Sequence, residues 1–485
     1  MKKFCFTNRI AFFVLLAGAC PPAGFSQEKL GIANSNYHST SSIFLNPSSS
    51  VDSRVFAQLN LIGLNAFMIT NQMYLPNFSM PKLITGYHEQ PVIVPDRKNN
   101  YLYGNFSLDG PALVISHSKV GFGLFARGRL EVDMRKIPYQ ITKLFLPGGF
   151  DTTVVPDAVD FNVRNAKIST MSWAEFGINF AGMVKERNGL LITAGGNFKY
   201  LAGINLFYAN LSRFNGYMKD TLIDVKSLKG KIRTSQPGWA TGKGFGTDLG
   251  ITIRRALKSD TEYEGYYVHS PRSHCDCYDY LYKLGISLLD LGYINFNETT
   301  FKAAIRGSTY IPNYNNVSSA DSLIQADFDT TIERDVPFKA ALPTALSVQL
   351  DMNTTHHTYL NVSLVKNLIH PRITGIQRAN LLAITPRYET RWIEVAMPLT
   401  FHRFYNPHLG FAFRIRSFVL GTDNILPYFM TKKTRVVSVY FNLGISLFRN
   451  PACRKKRHHT KKQKTEKRAT AECPSFGKKK RFKIF

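Results

Sequence analysis

The reactive side chains of this chain fall into a few clusters, and none has the spacing that catalysis or metal binding requires. Cys275 and Cys277 sit in "SHCDCYDY", with His269 and His274 close by. A Cys-x-Cys pair lacks the wider spacing of structural zinc sites and is awkward for a direct disulfide, so the stretch reads as a loop with two thiols. His356-His357 and His458-His459 are adjacent pairs. On a strand, neighbouring side chains diverge, which makes each pair a poor metal site. "ATGKGFG" carries Gly-Lys but lacks the upstream glycine and the following Ser/Thr of a phosphate loop, and it opens a strand rather than a helix. There is no His-Glu-x-x-His and no Gly-x-Ser-x-Gly. A Ser, a His and a carboxylate could still meet across neighbouring strands, and a sequence does not display such a meeting. The motifs point away from an enzyme and name no cofactor, no metal and no catalytic residue.

The charges carry more information, because they keep to one face of alternating segments. In "VGFGLFARGRL", Val120, Phe122, Leu124, Ala126 and Leu130 share a face, and Gly121, Gly123, Phe125, Arg127 and Arg129 share the other. "AEFGINFAG" sets Ala174, Phe176, Ile178 and Phe180 against Glu175, Gly177, Asn179 and Ala181. The same pattern runs through "LLITAGGNFKY", "GKGFGTDLGITIRR" and "LGFAFRIRSF". A period of two means β-strand. The second face is rich in Gly, Ala, Asn and Ser. A soluble sandwich would show Lys, Glu and Thr to water, whereas small residues suit the crowded bore of a closed barrel. The apolar face is then the one against lipid, where only a closed sheet pairs every backbone group. By alternation Arg127, Arg129, Glu175, Lys199, Asp248, Glu394, Arg414 and Arg416 face the lumen. Two readings follow. The lumen selects solutes by charge, leaning toward anions, or it is a salt-bridged interior with no open channel.

The elements that must hold these residues are all strands. About fourteen such runs lie between Arg54 and Phe448, which predicts an all-β, closed, antiparallel transmembrane barrel of about 14 strands. In "KLGISLLDLGYINF", Leu284, Ile286 and Leu288 share a face, yet Asp290 falls in the same register, so a bulge or strand end is expected near Leu288–Leu289. The last run, Val437 to Leu447, stops on the aromatic Phe448, as closing strands read by a barrel-insertion machinery do. Trp173, Trp239, Trp392 and the many Tyr suit interfacial girdles, except that Trp173 points inward if Phe176 points out.

Residues 1–26 read as a secretory signal peptide, with Lys2, Lys3 and Arg9 ahead of an apolar stretch from Ile10 to Ala19 and small residues before Gln27. Ala17-Gly18-Ala19-Cys20 also resembles a lipoprotein box, which leaves lipidation of Cys20 open. No later stretch is a transmembrane helix. The formal charge is +28. Residues 449–485 hold 15 Lys/Arg and two acids, a net +13, and the leader holds three basic residues, which leaves +12 for residues 27–448. The basic tail suits either an anionic partner or a simply solvated end. Its few aromatics and the export signal speak against nucleic acid.

The stretch "GIANSNYHSTSSIFLNPSSSVDSRVFAQLNLIG" is similar to the start of the FadL-like barrels and their relatives in Bacteroidetes-type bacteria, where an Asn-Pro-small motif precedes the first strand. Here that motif is Asn46-Pro47-Ser48. "GKGFGTDLGITI" and "YKLGISLLDLGYINF" also resemble segments of that group, so the resemblance runs from about Gly31 to Phe448. It implies an outer-membrane barrel over residues 54–448 and, by analogy, an internal plug over residues 27–53 containing Asn46 and Pro47. It further implies transport or binding of a small, hydrophobic solute. Alternatively it implies a structural, secretion- or gliding-associated barrel whose tail docks a periplasmic partner or the cell wall. The partners expected are outer-membrane lipid and the insertion machinery, in the outer membrane of a Gram-negative bacterium with the tail in the periplasm.

Overall fold

The computed structural model describes residues 29–94, 100–137, 159–219, 222–257, 269, 279–297, 299–311, 329–355, 357–370, 373–403, 406–429 and 432–451. The leader, Cys275, Cys277, His274, His356, His458, His459 and nearly all of the basic tail lie outside them. Fourteen antiparallel strands form one ring. They are β1 (Ala57–Thr70), β2 (Tyr101–His117), β3 (Val120–Arg135), β4 (Val159–Arg187) and β5 (Leu190–Lys219). Next come β6 (Leu222–Ser235 with Gly242–Ala256), β7 (Tyr280–Phe296 with Thr300–Ile311) and β8 (Asp329–Arg334, Phe338–Ala341 and Ala345–Thr355). The ring continues with β9 (Thr358–Asn367), β10 (Leu381–Glu389), β11 (Ile393–Ala396 with Leu399–His402) and β12 (Asn406–Leu409 with Phe411–Ile415). It ends with β13 (Phe418–Thr422) and β14 (Val436–Leu447). β14 pairs with β13 and also with β1, from Ala57–Leu447 to Ile69–Val436, and that second pairing closes the sheet.

Interruptions in the strands have local causes. Pro398 divides β11, because proline brings no N–H to the ladder. In β2 the register shifts between Asp109 and Ala112, where Gly110 and Pro111 stand. In β7 the shift falls between Leu288 and Leu291, and Asp290 takes a positive φ of 52°. The bulge expected from the broken alternation is therefore present, one residue beyond Leu289.

The outer surface is apolar. Val120, Phe122, Leu124, Phe176, Ile178, Phe198, Phe245, Leu249, Ile251, Leu443 and Ile445 are all exposed. Their sequence neighbours on the other face, among them Arg129, Glu175, Asn179, Asn197, Lys199, Asp248 and Asn442, are buried. This inversion, with grease outside and polarity inside, is what a strand wall needs in hydrocarbon. Trp173 is buried while Phe176 is exposed, as their parity requires.

β4 and β5 are 29 and 30 residues long. About ten residues of a tilted strand suffice to cross a bilayer. The excess rises beyond the rest of the ring at the end away from the chain termini, where β6, β7 and β8 accompany it.

The outward face supports a direct test. Leu124→Arg places a charge in the middle of the apolar band and should cost about 2–4 kcal/mol, whereas Val120→Arg, beside the turn, should cost under about 1 kcal/mol. The readout is the fraction of unboiled protein that migrates as the folded band in SDS.

Candidate functional site

The interior is built in three layers, starting at the end that carries the termini. Residues 29–53 fill the first. A short helix, Ser39–Ser42, and a 3-10 turn, Pro47–Ser50, lie against the inner wall. Asn46 caps the turn, its side chain accepting from the Ser48 amide at 3.1 Å. The same side chain donates to Thr252 Oγ1 at 3.1 Å and to Gln349 Oε1 at 3.2 Å. Wall residues return the contacts. Asn197 Nδ2 donates to the Ile43 carbonyl at 2.9 Å, Ser287 Oγ to the Leu45 carbonyl at 2.6 Å, and Asn179 Nδ2 to the Pro47 carbonyl at 3.1 Å.

The glycines of the inner face make this approach possible. A Cβ on Gly195 would stand 2.8 Å from the Pro47 carbonyl oxygen, and one on Gly250 would stand 2.2 Å from Asn46 Oδ1. A polar cavity of about 70 Å³ remains between the segment and the wall, lined by residues that include Asn34, Asn36, Asp52, Lys283 and Asp351. It suits a few water molecules and is far smaller than a drug-sized site.

Ion pairs make the second layer. The β7 bulge turns Asp290 inward, where it meets Arg129 at 2.9 Å, Lys199 at 2.7 Å and Arg378 at 2.7 Å. Arg129 also reaches Glu175 at 2.9 Å and pairs with Glu131. Lys199 reaches Asp248 at 2.7 Å. Trp173 Nε1 donates to Glu175 at 2.7 Å, and the Arg129 guanidinium lies over the Trp173 ring at 4.7 Å. Nearer the termini, Arg387 holds Asp351 and Glu389, Arg414 holds Glu394 at 2.7 Å, and Lys29 and Arg127 share Asp109. Ser35 and Asn36 tie the inner segment to Glu394 and Glu389.

The third layer is apolar. Phe67, Tyr103, Met171, Trp173, Leu201, Leu206, Ile294, Phe296, Phe338 and Leu342 form one buried cluster inside the ring. Ile376 and Ala379 enter it from residues 373–380, which fold inward between β9 and β10. Arg378 anchors that stretch to Asp290. The Gly375 carbonyl accepts from Lys167 Nζ at 2.9 Å and Ser169 Oγ at 3.1 Å.

Seven of the eight charges assigned to the lumen by alternation, namely Arg127, Arg129, Glu175, Lys199, Asp248, Glu394 and Arg414, lie inside the ring with acidic or basic partners. Arg416 does not. β12 ends at Ile415, Arg416 takes a φ of 54° in the turn, and its exposed guanidinium sits 4.8 Å from the Trp392 ring. Parity cannot be carried past a strand end. Phe448 lies one residue beyond β14 and packs edge-on against Trp392 and Tyr37, at 5.3 and 6.2 Å between ring centres. Alternation missed Asp290, whose only sign was the broken register, and Arg378, which lies outside any strand. Among the described residues no group of three or more His, Cys, Asp or Glu could hold a metal ion.

Two histidines outside the membrane-crossing strands are kept neutral. Burial pushes His38 down to about 3, with Lys29 and Arg414 adding to the effect. Burial pushes His269, whose ring bonds the Ser53 carbonyl, down to about 4. In the unfolded chain both titrate near 6.5. Between that value and about 4, the unfolded state binds protons that the folded state refuses. Stability is therefore full above about pH 6.5 and declines as pH falls.

At pH 5, His269 alone should cost about 2 kcal/mol. The temperature at which the folded band disappears should drop between pH 7 and pH 5, and His269→Gln should flatten that drop. Asp290→Asn removes the shared partner of three buried cations and should cost about 3–5 kcal/mol, read as a lower urea midpoint for loss of the folded band.

The family model described as a family of unknown function, DUF5723, matches residues 47–423. No curated protein matches the chain. Among solved structures, the toluene transporter TbuX of Ralstonia pickettii is similar at 10% identity and a TM-score of 0.39, with 88% of this chain and 98% of that one covered. A deltaS2 mutant of the monoaromatic hydrocarbon channel TodX is similar at 9% identity and 0.37, with 84% and 94% covered. A FadL homologue of Pseudomonas aeruginosa is similar at 10% identity and 0.25, with 87% and 96% covered. The ring of strand pairs stands independently of these likenesses. The model's match spans most of the barrel, from the inner turn at Pro47 to the end of β13, and the chain belongs to the DUF5723 family.

Proposed function

We propose that this chain is an outer-membrane barrel that binds and passes a small hydrophobic solute, with residues 29–53 as its internal plug. The apolar layer carries the reading. A porin lumen is polar along its length, whereas here Phe67, Trp173, Leu201, Leu206, Phe296 and Phe338 gather on the inside of a wall whose outside is also apolar. An apolar layer inside a membrane barrel has no lipid to face. Its natural neighbours are apolar, and Ile376 and Ala379 of the inward stretch pack into it. The polar layer below holds the charges in pairs, so it acts as a floor rather than as a conduit for ions.

Turn lengths support one orientation. The β2–β3 and β4–β5 connections, at Ser118–Lys119 and Asn188–Gly189, are short and lie at the end of the termini. The connections at the other end include 71–100, 136–158 and 423–435. Short periplasmic turns and long outer loops are the rule for such barrels. We place the termini in the periplasm and the raised part of β4–β8 outside the cell, with the 257–279 connection as the long periplasmic exception.

The test is binding of an apolar fluorescent dye to the purified, heat-modifiable barrel. Saturable binding is expected, and Ile376→Gly, which opens space in the apolar layer, should tighten it about threefold to tenfold, the scale of burying one or two further methylene groups. A folded barrel that binds no dye in either form, and from which no apolar molecule is extracted, removes the transport reading.

A further inference from the structure

In the raised part of the wall, one row of the ladder is built from cations. Arg164 of β4 stands directly opposite Arg213 of β5, Arg213 opposite Lys229 of β6, and Lys229 opposite Arg306 of β7. All four are exposed. The row ends at Asp329 of β8, opposite Arg306. Residues directly opposite in an antiparallel ladder share a face, about 5 Å apart, and like charges so placed repel. Among the described residues, none of the four lies within ion-pair distance of a carboxylate.

Bulges bring these residues into line. Between β4 and β5 the ladder steps from Ala166–Leu211 to Arg164–Arg213, skipping a residue on each strand, and Asn165 has a φ of 56°. Between β5 and β6 it steps from Leu211–Gly230 to Arg213–Lys229, two residues against one. Without that step Arg213 would fall on the opposite face from Lys229.

The face can be identified. The next row toward the membrane is Lys167, Asn210, Lys231 and Ala304. Lys167 in that row donates to the Gly375 carbonyl inside the ring. The cationic row therefore lines the concave side, above the mouth of the barrel.

Among the described residues, only Arg306 of the four has a carboxylate opposite it in the ladder, that of Asp329, and it forms no ion pair there; four cations so placed cost stability unless an anion covers them. Guanidinium groups suit planar carboxylates, which they bind in pairs of hydrogen bonds. The charges do not converge on a point, as they would around a single phosphate. They run in file across four strands for about 14 Å. We infer that this face binds an extended polyanion with regularly repeated carboxylates, an acidic polysaccharide, laid across β4–β7 at the barrel mouth. Access from outside the cell rests on the orientation proposed above.

The test uses fluorescein-labelled oligogalacturonate and the full chain in detergent. Binding should saturate, and it should weaken at least tenfold in Arg213→Gln/Lys229→Gln. It should weaken likewise in Arg164→Gln/Arg306→Gln, and it should be unchanged in Lys339→Gln on the outer surface. Replacing like charges by Gln relieves repulsion, and heat-modifiability checks that each variant is folded. Binding that ignores both double substitutions belongs to the basic 449–485 tail and overturns the site. Competition by inorganic phosphate or monomeric galacturonate at equal charge concentration overturns the extended ligand. Purified protein that binds, on cells whose intact surface does not, leaves the site standing and overturns the outward orientation.

Discussion

Closure of the sheet is the constraint from which the rest follows. In hydrocarbon an unpaired backbone amide costs several kcal/mol, so a strand wall survives only if its last member hydrogen-bonds to its first. The β1–β14 ladder does this along nearly the whole of β1. Once the wall is closed, each strand has one face to lipid and one to the bore. The chemistry of the two faces is then fixed in opposite senses. Leu443 and Ile445 are exposed, while Ser438, Tyr440 and Asn442 of the same strand are buried.

A closed wall of this width leaves an interior that has to be filled, and the three layers show how. Near the termini the filler is backbone, admitted by Gly195 and Gly250 and held by asparagine and serine side chains. In the middle it is charge, and each buried ion is matched, since an unmatched one would cost far more than its pair contributes. Beyond that it is apolar, and the inward stretch 373–380 completes it. Asp290 joins the layers. Its side chain gathers Arg129, Lys199 and Arg378, while its carbonyl accepts from Thr344 and its amide donates to Asp248. A single bulge thus links four strands to a connecting segment.

Much of this was legible in the sequence, because alternation is a physical requirement here rather than a tendency. Phe122, Leu124, Phe176 and Phe180 announced the outer face, and Arg129, Glu175 and Lys199 announced the inner one. The number of runs announced the number of strands. Reading failed where period two stops holding. Arg416 was lost to a turn of positive φ, and Arg378 sits in a connection that has no parity at all. The cationic row of the raised wall was invisible for a related reason. Arg164, Arg213, Lys229 and Arg306 are far apart in the chain, and only bulges at particular residues bring them into one file. The apolar upper layer was also hidden, since Trp173 and Leu201 sit in segments whose inward positions elsewhere are polar.

The segment that fills the lower bore also touches the strand that closes it. The Gly31 amide donates to the Tyr440 hydroxyl, and Lys29 reaches Asn442, 413 residues away. A sealed cylinder offers that segment no side entrance, and its hydrogen bonds reach partners all around the circumference. The inner segment therefore ties the wall together from within, reaching the last strand as well as those between. Closure of the wall is itself a pairing across nearly the whole chain, from Ala57–Leu447 to Ile69–Val436, the kind of non-local contact that makes folding slow.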